Sequence, residues 1–331
     1  MLMTTRRRLL PLALCCASFW LAATAHAQGT AAAYPNRPVR FIVAHAAGGL
    51  VDTIARAVAQ HFSERLGQPV VVDNRPGASE VIAAEAAAKS SPDGHTIFMA
   101  SEVTMIFNPI MMKNLPYNPQ RDFTPISMVA ESLFYLVVNP SVPARSVNEL
   151  IALAKAQPGK LTFASIGNGT HQHLLGEMFK ARAKVDLLHI PYKSSGAAVL
   201  DLVSGRIDMM FQGGGGTLAH MRSGKLRALA ATSTTRPEET KYLQTMVELG
   251  VPDFDVSPWF ALFGPAGFPR PIVDRLNREV GDMLRAPETR KKLAPLGITL
   301  SPSTPEGLGE RISREYPFWT RVIREAGIVA E

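Results

Sequence analysis

Hydrophobic positions along this chain follow one order of predicted elements, and then follow the same order again. The first copy reads as the strand VRFIVAH, the loop AAGGL, the helix VDTIARAVAQHFSERLG, the strand VVVDNRPG, the helix SEVIAAEAAAKS and the strand HTIFMAS. The second reads as the strand KLTFASI, the loop GNGT, the helix HQHLLGEMFKARA, the strand DLLHIPYKSS, the helix GAAVLDLVSGR and the strand IDMMFQG. Each copy is β–loop–α–β–α–β, which predicts an α/β protein of two similar domains.

Short apolar strands that alternate with helical patterns predict a mainly parallel sheet flanked by helices in each domain. In open sheets of this kind, ligands bind outside the carboxyl ends of the strands. The loops AAGGL and GNGT each follow the first strand of their copy, so both are expected at the ligand edge. If the two domains face each other, the loops hold a ligand from opposite sides, as in a two-lobed clamshell.

The segments outside the two copies predict where the chain crosses between the lobes. Residues 108–126 are rich in turn residues, and the strand LFYLVVNPSVP that follows is expected to enter the second lobe near residue 133. The strands KLRALAATS and SPWFALFGPAG come after the second copy, with a crossing back near residue 257. The predicted boundaries are residues 28–132 and 257–331 for lobe 1 and residues 133–256 for lobe 2.

The C-terminal tail has helical spacing. A first helical segment covers residues 270–297 with a break near Pro287, and a final helix follows, for which Thr304 provides a capped start. Both are expected to pack on lobe 1.

The first glycine loop is suited to an anion. Backbone N–H groups at a helix start have no partner within the helix, and the helix dipole adds partial positive charge there. Gly48 and Gly49 allow close approach to these groups, which suits a carboxylate or phosphate. A nucleotide is disfavoured, because no dinucleotide or P-loop motif is present and Asp52 would repel a polyphosphate. The alternatives that remain are a tight turn only for the glycines and a dipole-complementing role for Asp52.

The second glycine loop, SIGNGT, supplies a matching contact. Gly167 and Gly169 permit the loop, while Asn168, Thr170 and Ser165 offer amide or hydroxyl donors. His171 and His173 follow it, but residues two apart on a helix do not share a face and no further ligand is near, so a metal site is disfavoured. A capping or pocket-edge role is favoured for these histidines.

Four glycines, Gly213 to Gly216, follow the last strand of the second copy directly after Gln212. Two interpretations stay open: the turn needs positive φ, or the glycines leave room for a bulky ligand.

The N-terminus predicts export. Arg6, Arg7 and Arg8 precede an apolar stretch, and a cleavage site of small residues ends at Ala27, so residues 1–27 are expected to be a cleaved signal peptide; an uncleaved anchor is the alternative. Both cysteines of the chain lie in this segment, so the mature protein has no disulfide or thiolate site. Removing the three arginines lowers the formal charge from +7 to +4, and the basic residues are scattered, which disfavours nucleic-acid binding.

Enzyme chemistry has little support in this sequence. It contains no nucleophile elbow, no zinc-protease motif and no pair of carboxylates that stands out as an acid/base couple. No enzyme activity, no metal and no cofactor are therefore predicted. A secreted hydrolase, the alternative, would turn over a bound ester.

Several strings in one order carry a family resemblance. These are YPNRPVRFIVAHAAGGLVDTIAR, GQPVVVDNRPGA, PDGHTIFMAS, FNPIMMKNLPYNPQRDFTPIS, VVNPSVPARSVNELIALAKAQPGKLTFASIGNGT, HIPYK, GKLRALAATS and PEGLGERI. They resemble the substrate-binding proteins of tripartite tricarboxylate transporters, the Bug receptors, over the whole chain from Tyr34.

The resemblance implies a two-lobed periplasmic binding protein of the Venus-flytrap, type II-like kind. It implies a small carboxylate ligand at the AAGGLVD and SIGNGT loops, held partly through backbone amides, and delivery to one large and one small membrane subunit. Some members of the family are orphan receptors, so a sensor that presents a carboxylate to a signalling partner is the alternative. A monomer is expected.

This chain departs from the family pattern at three places. The usual Pro-Pro-Gly-Gly-Gly-Thr loop is Ala46-Ala47-Gly48-Gly49-Leu50-Val51, the glycines after NRPGA are Ser79-Glu80-Val81, and a Phe-Asp-Asn string is Phe211-Gln212-Gly213. Loss of that aspartate removes the counter-ion for an ammonium group. The predicted ligand therefore has one or two carboxylates on an apolar or aromatic body, and it is not an amino acid.

The predicted ligand-binding residues come from both lobes. They are His45, Ala46, Ala47, Gly48, Gly49, Asp52, Ser79, Glu80, Ser101, Ser165, Gly167, Asn168, Gly169, Thr170, His171, Gln212 and Gly213.

Overall fold

The computed structural model describes residues 34–236 and 240–328. The predicted signal peptide lies outside these residues. The strands are β1 Val39–Val43, β2 Val70–Asn74, β3 Thr96–Ser101, β4 Phe123–Ser132, β5 Phe134–Val138, β6 Thr162–Ser165, β7 Leu188–Pro191, β8 Met209–Gly213, β9 Arg227–Ala231, β10 Trp259–Pro265 and β11 Ile298–Leu300. The helices of seven or more residues are α1 Leu50–Leu66, α2 Val81–Ala88, α3 Val147–Ala156, α4 His171–Ala183, α5 Ser195–Val203, α6 Gly214–Arg222, α7 Arg270–Arg285, α8 Pro287–Leu293 and α9 Pro305–Glu325.

The strands form two sheets, one in each lobe. The six-stranded sheet has the order β11-β4-β10-β3-β1-β2, and the five-stranded sheet has the order β7-β6-β8-β5-β9. In both, the first strand of the repeated unit lies between the second and the third, and a strand that comes from the other lobe follows. The two-lobed α/β fold predicted from the repeated pattern is confirmed.

Each sheet is mixed, whereas the periodicity predicted mainly parallel ones. β1, β2 and β3 are parallel, but β10 runs antiparallel to both β3 and β4. In the second sheet β5 runs antiparallel to β8 and β9. The connection between the lobes explains this. β5 and β10 each arrive from the other lobe and enter their sheet at the edge where the parallel strands end, so they run in the opposite direction.

The two crossings between the sheets run side by side. β4 ends at Ser132 in the first sheet and β5 begins two residues later in the second. The segment that returns to the first lobe is hydrogen-bonded to this crossing, because the Ser132 N–H donates to the Pro258 carbonyl. Beside it, the Val256 N–H donates to the Thr232 carbonyl, and the Thr232 N–H donates to the Phe134 carbonyl. Two adjacent strands of chain therefore connect the lobes at this point.

Apolar faces explain why these segments form the core. All seven residues of β10 and all five of β5 are buried, as expected for strands covered on both faces. α9 begins at the predicted cap, where the Gly307 N–H donates to the Thr304 hydroxyl at 3.0 Å. Its buried Trp319 packs edge-on against Phe107 with ring centroids 4.7 Å apart, so α9 covers lobe 1 as predicted.

Sequence periodicity missed parts of the fold. Residues 108–126 were expected to be turns, but β4 begins at residue 123 and is one of the central strands of its sheet. Its pattern FTPISMVAES contains a proline and a buried serine, and Ser127 is buried because its hydroxyl donates to the distant Ser303 carbonyl at 3.1 Å. Helix α3 and the edge strand β11 were not predicted.

The run of glycines after β8 is helical, so the interpretation of a turn with positive φ is wrong. Gly214, Gly215 and Gly216 form the first turn of α6, and none of them has positive φ. A Cβ on Gly214 would lie 3.1 Å from the Gly297 Cα, and one on Gly215 would lie 3.0 Å from the Leu296 carbonyl oxygen. Two of these glycines therefore leave room for the backbone of lobe 1, which α6 contacts directly.

Candidate functional site

The loop after β1 is held open by a buried carboxylate. Gly48 has φ +82° and its N–H donates to Asp52 Oδ2 at 2.8 Å. Arg56 Nε donates to the same oxygen at 2.8 Å, and Asn74 Nδ2 donates both to Asp52 Oδ1 and to the His45 carbonyl at 2.9 Å. Burial raises the pKa of Asp52, but these hydrogen bonds outweigh it and hold the pKa below its usual value. Asp52 therefore supports the loop from behind.

The outer side of the same loop faces solvent. Ala46, Ala47, Gly48 and Gly49 are exposed, and Gly49 is the N-cap of α1 in an extended conformation. The first N–H groups of a helix have no intrahelical partner, and the dipole places partial positive charge on them. The exposed side of the loop can thus bind an anion, although Asp52 already uses the Gly48 N–H.

The loop after β6 is built from internal hydrogen bonds. The hydroxyls of Ser165 and Thr170 both donate to the Gly167 carbonyl, at 3.1 and 2.7 Å. The Gly169 N–H donates to His173 Nδ1 at 3.1 Å. Two of the side chains predicted as ligand donors therefore shape the loop, while Asn168 is exposed at its tip.

Two stacked imidazoles support this second loop. The rings of His173 and His189 are 4.1 Å apart, and His189 stacks on Phe163 at 4.8 Å. Burial lowers the pKa of both histidines to about 4. His173 is therefore neutral at pH 7 and accepts the Gly169 N–H.

A matched variant tests the role of His173. The pKa of His173 is 6.5 in the unfolded chain and about 4 in the folded protein. As pH falls from 6.5 towards 4, only the unfolded chain takes up this proton, so the free energy of unfolding decreases over that range. His173→Gln retains an acceptor without the titration. Between pH 7 and pH 5 the free energy of unfolding of the wild type should fall by about 2 kcal/mol more than that of the variant. Equal losses in urea denaturation would contradict the assignment.

The third wall of the site comes from residues 78–104. Glu80 is buried, and its carboxylate accepts from Ser101 Oγ, at 2.7 Å from Oε1, and from Thr104 Oγ1, at 2.6 Å from Oε2. His45 Nε2 lies 3.5 Å from Glu80 Oε1. The predicted residues Glu80, Ser101 and His45 thus meet at one edge of the first sheet. Ser79 lies beside them, and its carbonyl accepts from Asn108 Nδ2 at 2.7 Å.

His171 connects the two lobes. It is the first residue of α4 in lobe 2, and its Nε2 lies 3.0 Å from Glu102 Oε2 of lobe 1. The Trp259 N–H donates to the same carboxyl at 2.8 Å. Burial raises the pKa of Glu102 and lowers that of His171 to about 4. Both shifts favour the uncharged forms of the two side chains in this contact. His171 and His173 point to different partners, Glu102 and the Gly169 N–H.

Gln212 and Gly213 lie at the end of β8. Gln212 is buried, and its amide donates to Ser195 Oγ and accepts from Gln172 Nε2 at 3.1 Å. Gly213 is close to the crossing, because a Cβ there would lie 3.1 Å from Ser132 Oγ. Gln212 therefore joins two helix starts of lobe 2 and carries no charge.

These features place two glycine loops, one at each lobe's ligand edge, beside a contact between the lobes. A family model described as tripartite tricarboxylate transporter family receptor matches residues 54–328 of the chain. The chain belongs to this family. Its members are solute-binding receptors, not enzymes.

Relatives of the receptor match it over most of its length. Protein BugT of Bordetella pertussis is 39% identical over 295 residues, which cover 89% of this chain and 90% of that protein. Among solved structures, an R. palustris protein with adipate is 32% identical with a TM-score of 0.83, covering 89% and 99% of the two chains. MatC from Rhodopseudomonas palustris with bound malate is 30% identical with a TM-score of 0.78, covering 88% and 100%.

Two features are absent from the described part of the receptor. In the part of the chain that the structure describes, no group of three or more His, Cys, Asp or Glu side chains could hold a metal ion. Within residues 34–236 and 240–328, no helix is both long and apolar enough to span a membrane.

Sequence reasoning missed several residues of the receptor's site. Thr104 and Glu102 follow β3 and hold Glu80 and His171, respectively. Met111 contacts the second loop, since a Cβ on Gly169 would lie 2.7 Å from its Cε. The polar string Ser-Glu-Val-Thr after a buried strand was the available signal, because side chains at that strand end face the cleft.

Proposed function

We propose that the receptor works in the periplasm, where it captures a small carboxylate between its lobes and delivers it to the membrane subunits of a tripartite transporter. One observation supports this proposal: the loops after β1 and β6 each open a helix, and the helix after the second loop begins with His171, which contacts Glu102 of lobe 1. His45 Nε2 of the first loop lies 3.5 Å from Glu80 Oε1, and His171 Nε2 beside the second loop lies 3.0 Å from Glu102 Oε2 of lobe 1. A ligand between them would contact helix N-termini of both lobes.

The surroundings of the loops support a carboxylate with an apolar body. His45 packs against Phe260 with ring centroids 6.0 Å apart, and His171 packs against Phe107 and Phe134 at 5.1 and 6.2 Å. Gln212 offers no charge for an ammonium group, and the Glu80 carboxylate already accepts from the hydroxyls of Ser101 and Thr104. Adipate and malate, which are bound in two relatives, are also small carboxylates.

The closed, ligand-bound form of the receptor is the form that the membrane subunits would recognise. The two adjacent crossings near residues 133 and 257 would act as the hinge, and a ligand that contacts both lobes favours the closed form, since only that form makes both sets of contacts. The lobe boundaries at these residues are part of the proposal. A ligand-dependent complex with the large and small membrane subunits is expected in pull-down experiments.

Calorimetric titration tests the ligand class. The mature protein is titrated with aliphatic and aromatic mono-, di- and tricarboxylates, with glutamate and aspartate as amino-acid controls. We expect saturable binding of one carboxylate class, a matching rise in melting temperature and no loss of the compound over hours. Tighter binding of the amino acids would contradict the ligand class, and turnover of the bound compound would contradict the receptor function.

A further inference from the structure

The backbone before α2 takes an unusual path that places one carboxylate, that of Glu80, beside His45 of the first glycine loop. Ala78, Ser79 and Glu80 have φ values of 45°, 49° and 72°, all in the left-handed region that L-residues with a Cβ avoid. Three successive residues of this kind cost free energy, so neighbouring contacts must hold them. The contacts that do so are those of the Glu80 side chain and the hydrogen bond that the Ser79 carbonyl accepts from Asn108 Nδ2 at 2.7 Å.

The Glu80 carboxylate has the partners that a ligand carboxylate would require. Ser101 Oγ lies 2.7 and 2.9 Å from its two oxygens, Thr104 Oγ1 lies 2.6 Å from Oε2, and His45 Nε2 lies 3.5 Å from Oε1. Two hydroxyl groups that donate to one carboxylate stabilise its charged form. The chain thus supplies its own anion to a cluster of donors at the ligand edge.

The direct partners of this carboxylate belong to lobe 1, beside the contact that Glu102 makes with lobe 2. His45 belongs to the first glycine loop, and Ser101 precedes Glu102, which contacts His171 at the start of α4 in lobe 2. The charge of Glu80 also raises the pKa of both His45 and His171, in opposition to burial. Any ligand that reaches both loops comes within range of this charge.

We infer that Glu80 is a specificity-determining residue that restricts the cleft to ligands with a single carboxylate and no second anionic group. This inference rests on the proposed function. One ligand carboxylate binds the loop amides, which compensate its charge. A second would lie in a closed, poorly hydrated cleft beside Glu80, whose donors are already occupied, and like charges repel strongly there.

Matched ligand pairs test this inference. Hexanoate with adipate, octanoate with suberate, and benzoate with terephthalate differ within each pair only in the second carboxylate. The wild type should bind the monocarboxylate of its preferred pair at least about tenfold more tightly. In Glu80→Gln the preference for the monocarboxylate should fall at least about tenfold, because the amide retains the shape and loses the charge.

Two further variants separate specificity from folding. Glu80→Gly removes the carboxylate and its contacts, but glycine adopts the left-handed conformation at this position freely and Asn108 still holds the Ser79 carbonyl. The variant should therefore fold and show the same change in preference. Glu85→Gln makes the same change of charge on the outer side of α2, where Glu85 pairs with Lys89, and should leave the preference unchanged.

Each outcome decides between the proposals. Tighter binding of the dicarboxylate by the wild type, or equal changes for both members of a pair in Glu80→Gln, would overturn the inference while leaving the receptor function intact. Binding of no carboxylate by either protein would overturn both.

Discussion

Gly49→Asp should weaken carboxylate binding by about 100-fold, or about 2.7 kcal/mol, while leaving the protein folded. Gly49 is the N-cap of α1 with φ −82°, and a Cβ there would meet only the Ala46 carbonyl oxygen, at an ordinary 3.5 Å. Aspartate is among the best N-cap residues. Its carboxylate would accept from the same first-turn amides that the ligand anion is proposed to use and would repel that anion.

The neutral variant Gly49→Asn isolates the charge. Asparagine has the same shape and also caps helices, so it competes for the amides without repelling the ligand. We expect its loss of affinity to be about tenfold smaller than that of the aspartate variant. Titration gives the affinities and thermal unfolding checks the fold. Wild-type affinity in Gly49→Asp would show that the anion does not bind at this loop.

Gly176→Ala should destabilise lobe 2 by about 3 kcal/mol and weaken ligand binding as well. Gly176 lies inside α4, and a Cβ on it would be 2.1 Å from Phe163 Cε2. Phe163 is fully buried and cannot swing away. The Phe163 ring would push on His189, which stacks on it, and His189 would push on His173, which stacks on His189. His173 accepts the N–H of Gly169 in the second glycine loop.

Gly196→Ala is the matched control, since it also replaces a glycine in a helix of lobe 2. A Cβ at Gly196 meets nothing within 4 Å, and alanine is favoured over glycine in helices by about 1 kcal/mol. Urea denaturation should show a lower midpoint for Gly176→Ala and an equal or higher one for Gly196→Ala. Unchanged stability in Gly176→Ala would mean that α4 can move away from β6 without a loss of packing free energy.

The sequence by itself determined the elements that depend on local pattern. Both glycine loops, the helices that they open and the cap at Thr304 could be predicted, because strand and helix periodicity and capping involve residues close in the chain. The repeated order of these elements was enough to predict two lobes with a glycine loop at each ligand edge.

Only the tertiary structure decided how distant segments meet. The contacts of Glu80 with Thr104, of His171 with Glu102 and of Gly214 with Gly297 each join residues that are far apart in sequence. The mixed sheets also have this origin, because the direction of β5 and β10 follows from where the chain crosses between the lobes. Periodicity reports which side of an element is buried, but not which side chain it is buried against, and that partner determines the charge and shape of the cleft.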